Sequence, residues 1–485
     1  MLSKNTKLIL DLLRENFPFQ NFQGLQESCI VSIWDGHGTI LIMPTGQGKS
    51  LCYQFFAKTR PGLVLVISPL IALMQDQAQK AQALGIKASF INSSLDPQER
   101  EKRYRKLAAQ EYQLLLVTPE RFRKAEFREA LSKNAIQLLA VDEAHCISQW
   151  GHDFRPDYGH LGLIREQLGN PQTLALTATA TPSVQKDILQ SLRMSSAVKL
   201  HAGIARENLH LSFHEVYGHE EKVRFLQQAL AITPEGGIIV YCSLIQTLRK
   251  ISQDLLKYKI DHVVYHGDLP SHVRRRHQNQ FLRGEARLIL ATPAFGLGVD
   301  KPDIRRVIHA EVPAAVEDYY QEVGRAGRDG KDSFCHTLYD EDDVSIQMEF
   351  LKWAFPDEGF IRRVYEWIKN DKDKLNSLGL EFLKEQMVFK NRRDFRVEAA
   401  LGILTRWGVL GEDDSSFGYS LTDEELTADF FEKENQTELY KNRAKKLLEM
   451  IQLVKNEDQC RMKLIHSYFG LELEKDCGHC DNCQK

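Results

Sequence analysis

Five short apolar runs follow one another through the first 180 residues, and each ends in a polar or glycine-rich segment. Thr39-Ile40-Leu41-Ile42-Met43 runs into Pro44-Thr45-Gly46. Residues 63–67 precede Ser68-Pro69, residues 114–117 precede Thr118-Pro119, and residues 138–141 precede Asp142-Glu143. Residues 173–176 precede Thr177-Ala178-Thr179. Near-continuous apolar runs of this length predict strands buried on both faces of a parallel sheet. Open α/β sheets place their ligands just past the carboxyl ends of such strands, where all the polar segments fall here. The pattern restarts at 237–241, 262–265, 287–291 and 306–309. This predicts a second α/β domain, with the boundary between Met194 and Asn208.

Strand patterning stops after about Asp343. Residues 360–368 and 378–387 read as helices, as do 395–407, where Val397, Ala400, Leu401 and Leu404 share a face. Residues 408–410 and 419–421 read as a hairpin closed by Gly411 to Gly418. Three helices followed by a hairpin suggest a winged helix; an undifferentiated helical linker is the alternative. Residues 438–468 read as one long helical stretch leading into a cysteine cluster. The expected domains are 1–200, 201–343, 344–425 and 426–485.

Composition alters this picture little. The 485 residues are 43% hydrophobic and 27% charged, ordinary for a soluble globular chain. No apolar run has the length of a membrane span and no signal peptide opens the chain, so no membrane partner is expected. The expected compartment is the cytoplasm, with association to the nucleoid. A net charge of −3 excludes a small, uniformly basic nucleic-acid binder, but not a large protein with its positive charge confined to one groove. Five of the nine cysteines are scattered singly; Cys460, Cys477, Cys480 and Cys483 crowd the last 26 residues. An odd total without a secretion signal argues against a disulfide framework.

Chemistry enters at the strand ends. Gly46-Gln47-Gly48-Lys49-Ser50 follows a strand and opens a helix, as a phosphate loop does. Its glycines let backbone N–H groups close on phosphate, Lys49 reaches the β/γ-phosphates, and the Ser50 hydroxyl holds Mg²⁺. Met43 stands where the strict pattern has glycine. Asp142 can orient the Mg²⁺ shell and Glu143 can polarise an attacking water. Gln321-Glu322-Val323-Gly324-Arg325-Ala326-Gly327-Arg328 brings two arginines to the second domain, which has no phosphate loop of its own. Arginine from a neighbouring domain can supply positive charge to a phosphoryl transition state.

Cys460-x16-Cys477-x2-Cys480-x2-Cys483 offers four thiolates, the soft set that tetrahedral Zn²⁺ prefers. An iron–sulfur cluster is the rival reading, and His466 or His479 can stand in for a thiolate. Arg274-Arg275-Arg276 is a basic run suited either to a solvated helix face or to a phosphate backbone.

Taken together these motifs resemble a superfamily-two helicase, and within it the RecQ family. The most specific stretch is Asp142-Glu143-Ala144-His145-Cys146-Ile147-Ser148-Gln149-Trp150-Gly151-His152-Asp153-Phe154-Arg155-Pro156, which resembles that family's ATPase motif fused to its aromatic-rich loop. Ala294 to Pro302 and Gly324 to Gly330 resemble further family motifs. The likeness is dense from Phe17 to Tyr339, weak from Asp343 to Gln459, and returns at Cys460 to Cys483.

The resemblance implies an α/β fold of two tandem RecA-like parallel-sheet domains, followed by a mostly helical region with a candidate winged helix and a zinc module. It implies ATP, Mg²⁺ and Zn²⁺ as cofactors, and 3′-to-5′ travel on DNA in recombination and repair. Phe19 would stack on adenine and Gln26 would bond its edge, with Thr45, Gly46, Gly48 and Asp300 completing the ATP site. Trp150, His152, Phe154 and Arg155 would contact single-stranded DNA. Thr177, Thr179 and Gln321 would couple hydrolysis to domain movement. Arg328 would be the arginine finger, with Arg325 supporting the γ-phosphate. Single-stranded and duplex DNA are the implied partners, with a single-strand-binding protein or other repair proteins beside them.

Four departures stand out. Gln23 occupies a position where the family usually has arginine. The candidate winged helix precedes the zinc module rather than following it. The hairpin tip carries Glu412, Asp413 and Asp414, which phosphates repel, so no strand-splitting wedge is expected there. With the sequence ending at Lys485, the family's additional C-terminal nucleic-acid domain is not expected. An RNA helicase of the same superfamily, or a DNA-structure-binding protein with a silent ATP site, are the alternatives to a DNA helicase.

Overall fold

In the computed structural model, the described residues are 4–44, 46–148, 155–233, 235–296, 299, 301–387, 394–412, 417–433 and 436–485. They form two compact units. The first comprises residues 1–311, 316–339 and 453–485; the second comprises 312–315 and 340–452.

Two parallel sheets dominate the first unit. The first sheet contains β1 (Thr39–Ile42), β2 (Leu63–Ile67), β3 (Ala88–Ile91), β4 (Leu114–Val117), β5 (Ile136–Val141), β6 (Thr173–Thr177) and β7 (Val198–His201). Their order is β3-β4-β2-β5-β6-β1-β7. The second contains β8 (Leu209–Glu215), β9 (Gly237–Tyr241), β10 (Val263–Tyr265), β11 (Leu288–Ala291), β12 (Ile304–His309) and β13 (Ser333–Tyr339), in the order β10-β11-β9-β12-β13-β8.

Apart from β13, the interior strands are those the apolar runs predict. Every residue of β1, β2, β4, β6, β9 and β11 is buried. Four strands escape that reading. Three of them, β3, β7 and β8, lie at sheet edges, and β13 lies beside the edge strand β8. Leu209-His210-Leu211-Ser212 in β8 and Ser333-Phe334-Cys335-His336 in β13 alternate, because one face of each is only half covered. The chain passes from the first sheet to the second between His201 and Leu209.

Order within the sheets places the chemistry. Strands β1 and β5 flank β6, so the loops after all three open on one rim. The phosphate loop, Asp142-Glu143 and Thr177-Thr179 thereby become neighbours.

In the second unit, the helices Glu358–Asn370, Lys372–Met387 and Arg396–Arg406 share one apolar core with the hairpin β14 (Leu410–Glu412) and β15 (Tyr419–Leu421). The hairpin pairs Leu410 with Leu421 in antiparallel register. Phe360, Val364, Leu375, Leu383, Leu401 and Leu404 are each at most 2% exposed. The middle helix is interrupted at Gly379, whose φ of 75° and ψ of −174° are not helical. Asp413 and Asp414 lie outside the described residues.

The stretch 438–468 is not one helix. It forms Gln436–Lys455 and Arg461–Tyr468, separated by a turn at 456–460. The Asn456 side chain donates to the Gln459 carbonyl at 2.7 Å and accepts from its N–H at 3.3 Å, replacing the helical ladder there. Cys460 therefore sits just before a helix rather than upon one. Among the described residues no helix is long and apolar enough to cross a membrane.

Candidate active site and metal centre

A cleft of about 470 Å³ opens where the two sheets' loops meet. Its walls include Phe19, Gln26, Lys49, Ser50, Asp142 and Glu143 from the first lobe, and Gly296, Gln321, Arg325 and Arg328 from the second. The sequence motifs contain all of these except Phe19 and Gln26, which the family resemblance alone named; the fold brings them to one place.

The loop is built around its glycines. Gly46 and Gly48 have φ values of 84° and 74°, which residues with a Cβ seldom adopt. A Cβ on Gly46 would lie 3.1 Å from Cδ of Arg328, so the second lobe's arginine rests against the loop. A Cβ on Gly48 would lie 2.5 Å from the Gln26 amide nitrogen. That amide donates to the carbonyls of Gln47 at 3.1 Å and Gly48 at 3.0 Å, while its oxygen accepts from the Gln23 N–H at 2.9 Å. Gln26 thus ties the segment bearing Phe19 to the phosphate loop. Phe19 is 41% exposed at the cleft and lies parallel to Phe17, at 13° and 6.5 Å between ring centres, an open face on which a planar base can stack. Lys49 Nζ is buried without a hydrogen-bond partner, an orphan that an anion would satisfy. Thr45 and Asp300 lie outside the described residues.

Asp142 and Glu143 end β5 against the loop. Burial, and then the charge of Glu143, push the Asp142 carboxyl up to about 6, against the opposing pull of Lys49 and of the Glu143 N–H. Glu143 takes a left-handed backbone, φ 47° and ψ 48°, a strained conformation of the kind that clusters at functional sites. Its Oε2 is buried, makes no hydrogen bond, and lies 3.4 Å from His145 Nδ1. His145 Nδ1 meets the Thr177 hydroxyl at 2.9 Å, and that hydroxyl donates to the Thr179 carbonyl at 2.9 Å. A continuous polar chain therefore joins Glu143 to Thr177 and Thr179.

A folded-state value near 6, above the ordinary 3.8, means that the folded protein binds this proton more tightly than the unfolded chain. Ionised Asp142 therefore weakens the metal- and nucleotide-free fold above about pH 6, and the penalty vanishes below the unfolded value. Asp142→Asn is expected to stabilise that form by roughly 1–3 kcal/mol at pH 7.5. Thermal unfolding at pH 7.5 and pH 5 checks this: the gain should shrink at the lower pH, while hydrolysis is lost at both.

In the second lobe, Arg325 is 5% exposed and donates to the Gly296 carbonyl. Arg328 Nη1 donates to the Val299 carbonyl at 2.8 Å. Two residues that the sequence reading missed fasten this loop. Arg206 donates to the carbonyls of Ala326 and Gly327 at 2.8 and 2.9 Å, and Asn208 reaches Gly327 at 2.8 Å. Both lie in the connection between the sheets, and only the fold brings them to the arginine segment. Trp150, His152 and Phe154 lie outside the described residues. Arg155 is described, and its Nη1 donates to the Pro69 carbonyl at 3.0 Å, linking the segment after β5 to the loop after β2.

The four clustered cysteines converge. The Sγ atoms of Cys460, Cys477, Cys480 and Cys483 all lie within 4.8 Å of one another. Cys480 and Cys483 are 3.4 Å apart, and Cys477 and Cys483 are 3.9 Å apart. A tetrahedron with Zn–S bonds near 2.3 Å has S···S edges of about 3.8 Å, so the set fits a single zinc ion better than a multi-iron core. His466 Nδ1 is bonded to the Met462 carbonyl, and neither it nor His479 belongs to the converging group among the described residues. Hydrogen bonding from Cys477 pulls the Cys480 thiol below its ordinary value.

Arg461, next to the first cysteine, clasps Asp481 at 2.9 and 3.0 Å, and Asp481 accepts from the Phe213 N–H of β8 at 2.9 Å. Burial pushes the Asp481 carboxyl up, yet these bonds outweigh it and hold it below its ordinary value. The module thus docks on the edge of the second sheet. Removing zinc from the purified protein is expected to lower the thermal midpoint and free about one zinc per chain, measured by atomic absorption. A visible iron–sulfur absorption band in the untreated protein would contradict the assignment.

Two parallel-sheet lobes, one with a phosphate loop and one bringing arginines against it, define the helicase-core class of P-loop ATPases. The comparisons agree. Residues 23–188 match the DEAD/DEAH box helicase family, 221–330 the helicase conserved C-terminal domain, and 421–484 the RecQ zinc-binding family. ATP-dependent DNA helicase RecQ of Bacillus subtilis is 41% identical over 349 residues, covering 72% of this chain and 58% of that protein. The probable ATP-dependent DNA helicase RecS of the same organism is 40% identical over 342 residues, covering 70% of this chain and 68% of that one. The chain belongs to the RecQ family of DNA helicases. The match spans a little over half the length of the RecQ proteins of Bacillus subtilis and Haemophilus influenzae, at 58% and 55%. In three dimensions, Dbp5 of S. cerevisiae, solved with RNA and ADP BeF3, superposes with a TM-score of 0.56 at 17% identity, covering 72% of this chain and 91% of that one; this is likeness of fold.

Proposed function

We propose that this protein is an ATP-dependent DNA helicase that moves 3′-to-5′ along single-stranded DNA and separates duplexes in recombination and repair. One observation carries the reading: the Arg328 side chain of the second lobe lies against Gly46 of the first lobe's phosphate loop. A cleft shared in this way ties nucleotide state to the relation between the lobes. Lys49, Ser50 and Asp142 would hold the phosphates and Mg²⁺, which offsets phosphate charge when bound. Glu143 would orient the attacking water, and Arg325 and Arg328 would meet the charge that develops. The chain Glu143–His145–Thr177–Thr179 would pass the outcome to the first lobe's rim. The relatives' names point to DNA as the substrate, and the aromatic residues in the sequence from Trp150 to Arg155 would contact it, since bases stack on aromatic faces without sequence preference. The 344–425 region would act as a winged helix, and a single-strand-binding protein would be a natural companion on chromosomal DNA in the cytoplasm.

Strand displacement on 3′-tailed and 5′-tailed duplexes tests this. Unwinding should require ATP, Mg²⁺ and a 3′ tail. Equal unwinding of RNA and DNA duplexes would instead favour an RNA helicase, because 2′-hydroxyl contacts separate the two. Trp150→Ala should keep basal hydrolysis and lose most of its stimulation by single-stranded DNA. Unchanged stimulation would remove Trp150 from the DNA surface.

A further inference from the structure

The zinc module touches both halves of the ATP cleft. On the second lobe, the Tyr468 hydroxyl donates to Glu317 at 2.5 Å, and Phe469, 1% exposed, packs its ring 5.6 Å from that of Tyr320. Glu317 and Tyr320 lie on the helix Val316–Val323, which carries Gln321 and runs directly into Arg325 and Arg328. The Tyr320 hydroxyl in turn donates to the Ile204 carbonyl, in the connection between the sheets, at 2.5 Å.

On the first lobe, Gly470 meets Pro182. Gly470 has φ 71°, and a Cβ there would lie 2.5 Å from Pro182 Cγ and 3.1 Å from its Cδ. Pro182 opens the helix Pro182–Ser191, whose first turn the Thr181 hydroxyl caps. Only Ala180 and Thr181 separate it from Thr179. A residue with a Cβ at position 470 would have to displace Pro182 or the lobe that carries it.

We propose that Tyr468-Phe469-Gly470 is a brace that sets the registry of the two lobes, so that the arginine helix and the Thr177–Thr179 segment hold their positions about the nucleotide. These are positioning residues; none touches the reacting atoms. The proposal rests on the ATPase reading of the cleft. It makes the zinc module part of the coupling machinery: the four cysteines fix the loop that follows Arg461–Tyr468, and that short helix delivers its last residues to both lobes at once. A brace at this place affects the transition state, which needs Arg328 in position, more than it affects nucleotide binding on the first lobe alone.

The test uses the full-length, zinc-loaded chain. Gly470→Ala should lower kcat for ATP hydrolysis about tenfold, with KM for ATP within about twofold of the parent and zinc content unchanged. Pro182→Ala removes the opposing Cγ and Cδ; combined with Gly470→Ala it should restore at least about half of the lost kcat, the signature of a contact rather than of local misfolding. Parent-like kcat in Gly470→Ala, or a loss that Pro182→Ala leaves untouched, overturns the brace. Should Gly470→Ala fail to fold, Tyr468→Phe removes only one hydroxyl and should lower kcat about threefold at constant KM. Unchanged kcat there overturns it equally. If the parent itself hydrolyses no ATP, the ATPase reading fails separately. Hydrogen exchange then decides the brace: Tyr468→Phe should speed exchange both at 177–181 and in Val316–Val323, and unaltered exchange at either refutes it.

Discussion

Lys49→Ala is expected to lower kcat for ATP hydrolysis by at least about 10³-fold, to background, without unfolding the protein. The lysine is the only buried ammonium at the loop among the described residues that lacks a hydrogen-bond partner, and its charge already acts on Asp142 on the same lobe. In the empty fold the pull between Lys49 and Asp142 offsets part of the cost of burying the ammonium, and the rest is repaid when phosphate arrives. Removing it should leave the thermal midpoint and zinc content close to the parent values while ending turnover. Steady-state phosphate release, with thermal unfolding as the control, checks both halves. Turnover that survives with stimulation by DNA would show that phosphate is held elsewhere.

Arg328→Ala should produce the second-largest loss, about 10²- to 10³-fold in kcat with KM for ATP little altered. Arg328 and Arg325 are three residues apart, yet the structure gives them different settings. Arg325 is buried and bonded to the Gly296 carbonyl, so truncating it leaves that carbonyl short of a donor and should reduce stability as well as rate. Arg328 also donates to a carbonyl, that of Val299, but it is less buried and its side chain reaches across to Gly46, so more of its loss should fall on the chemistry. Lysine should not replace it, because a point charge cannot reproduce the planar fork of a guanidinium. Nucleotide titration beside rapid-quench kinetics separates binding from the chemical step.

Legibility in the sequence followed burial. Strands covered on both faces, such as β2 and β4, are uninterrupted apolar runs and could be read directly. Strand β8 could not, because its half-covered edge alternates His210, Ser212 and His214 with apolar residues, and its meaning comes from β13 and the zinc module packed beside it. Site residues carried by one loop, such as Gly46 to Ser50, were readable because local backbone chemistry dictates their spacing. Arg206 and Asn208 were not, since their partners lie about 120 residues along the chain. The break at 456–460 was lost for a similar reason: helix-compatible residues on both sides hide a turn that one asparagine side chain decides. The cysteine quartet was readable as a metal set; that its helix ends against Pro182 and Glu317 was not.

The central claim is that one ATP is worked upon by both lobes. Its most direct test is phosphate release by the parent, Lys49→Ala and Arg328→Ala proteins, with and without single-stranded DNA, alongside binding of a fluorescent ATP analogue. A shared site predicts DNA-stimulated release by the parent, near-background release by both variants, and retained analogue binding by Arg328→Ala. Full turnover by Arg328→Ala would contradict it, because the second lobe would then contribute nothing to the chemistry.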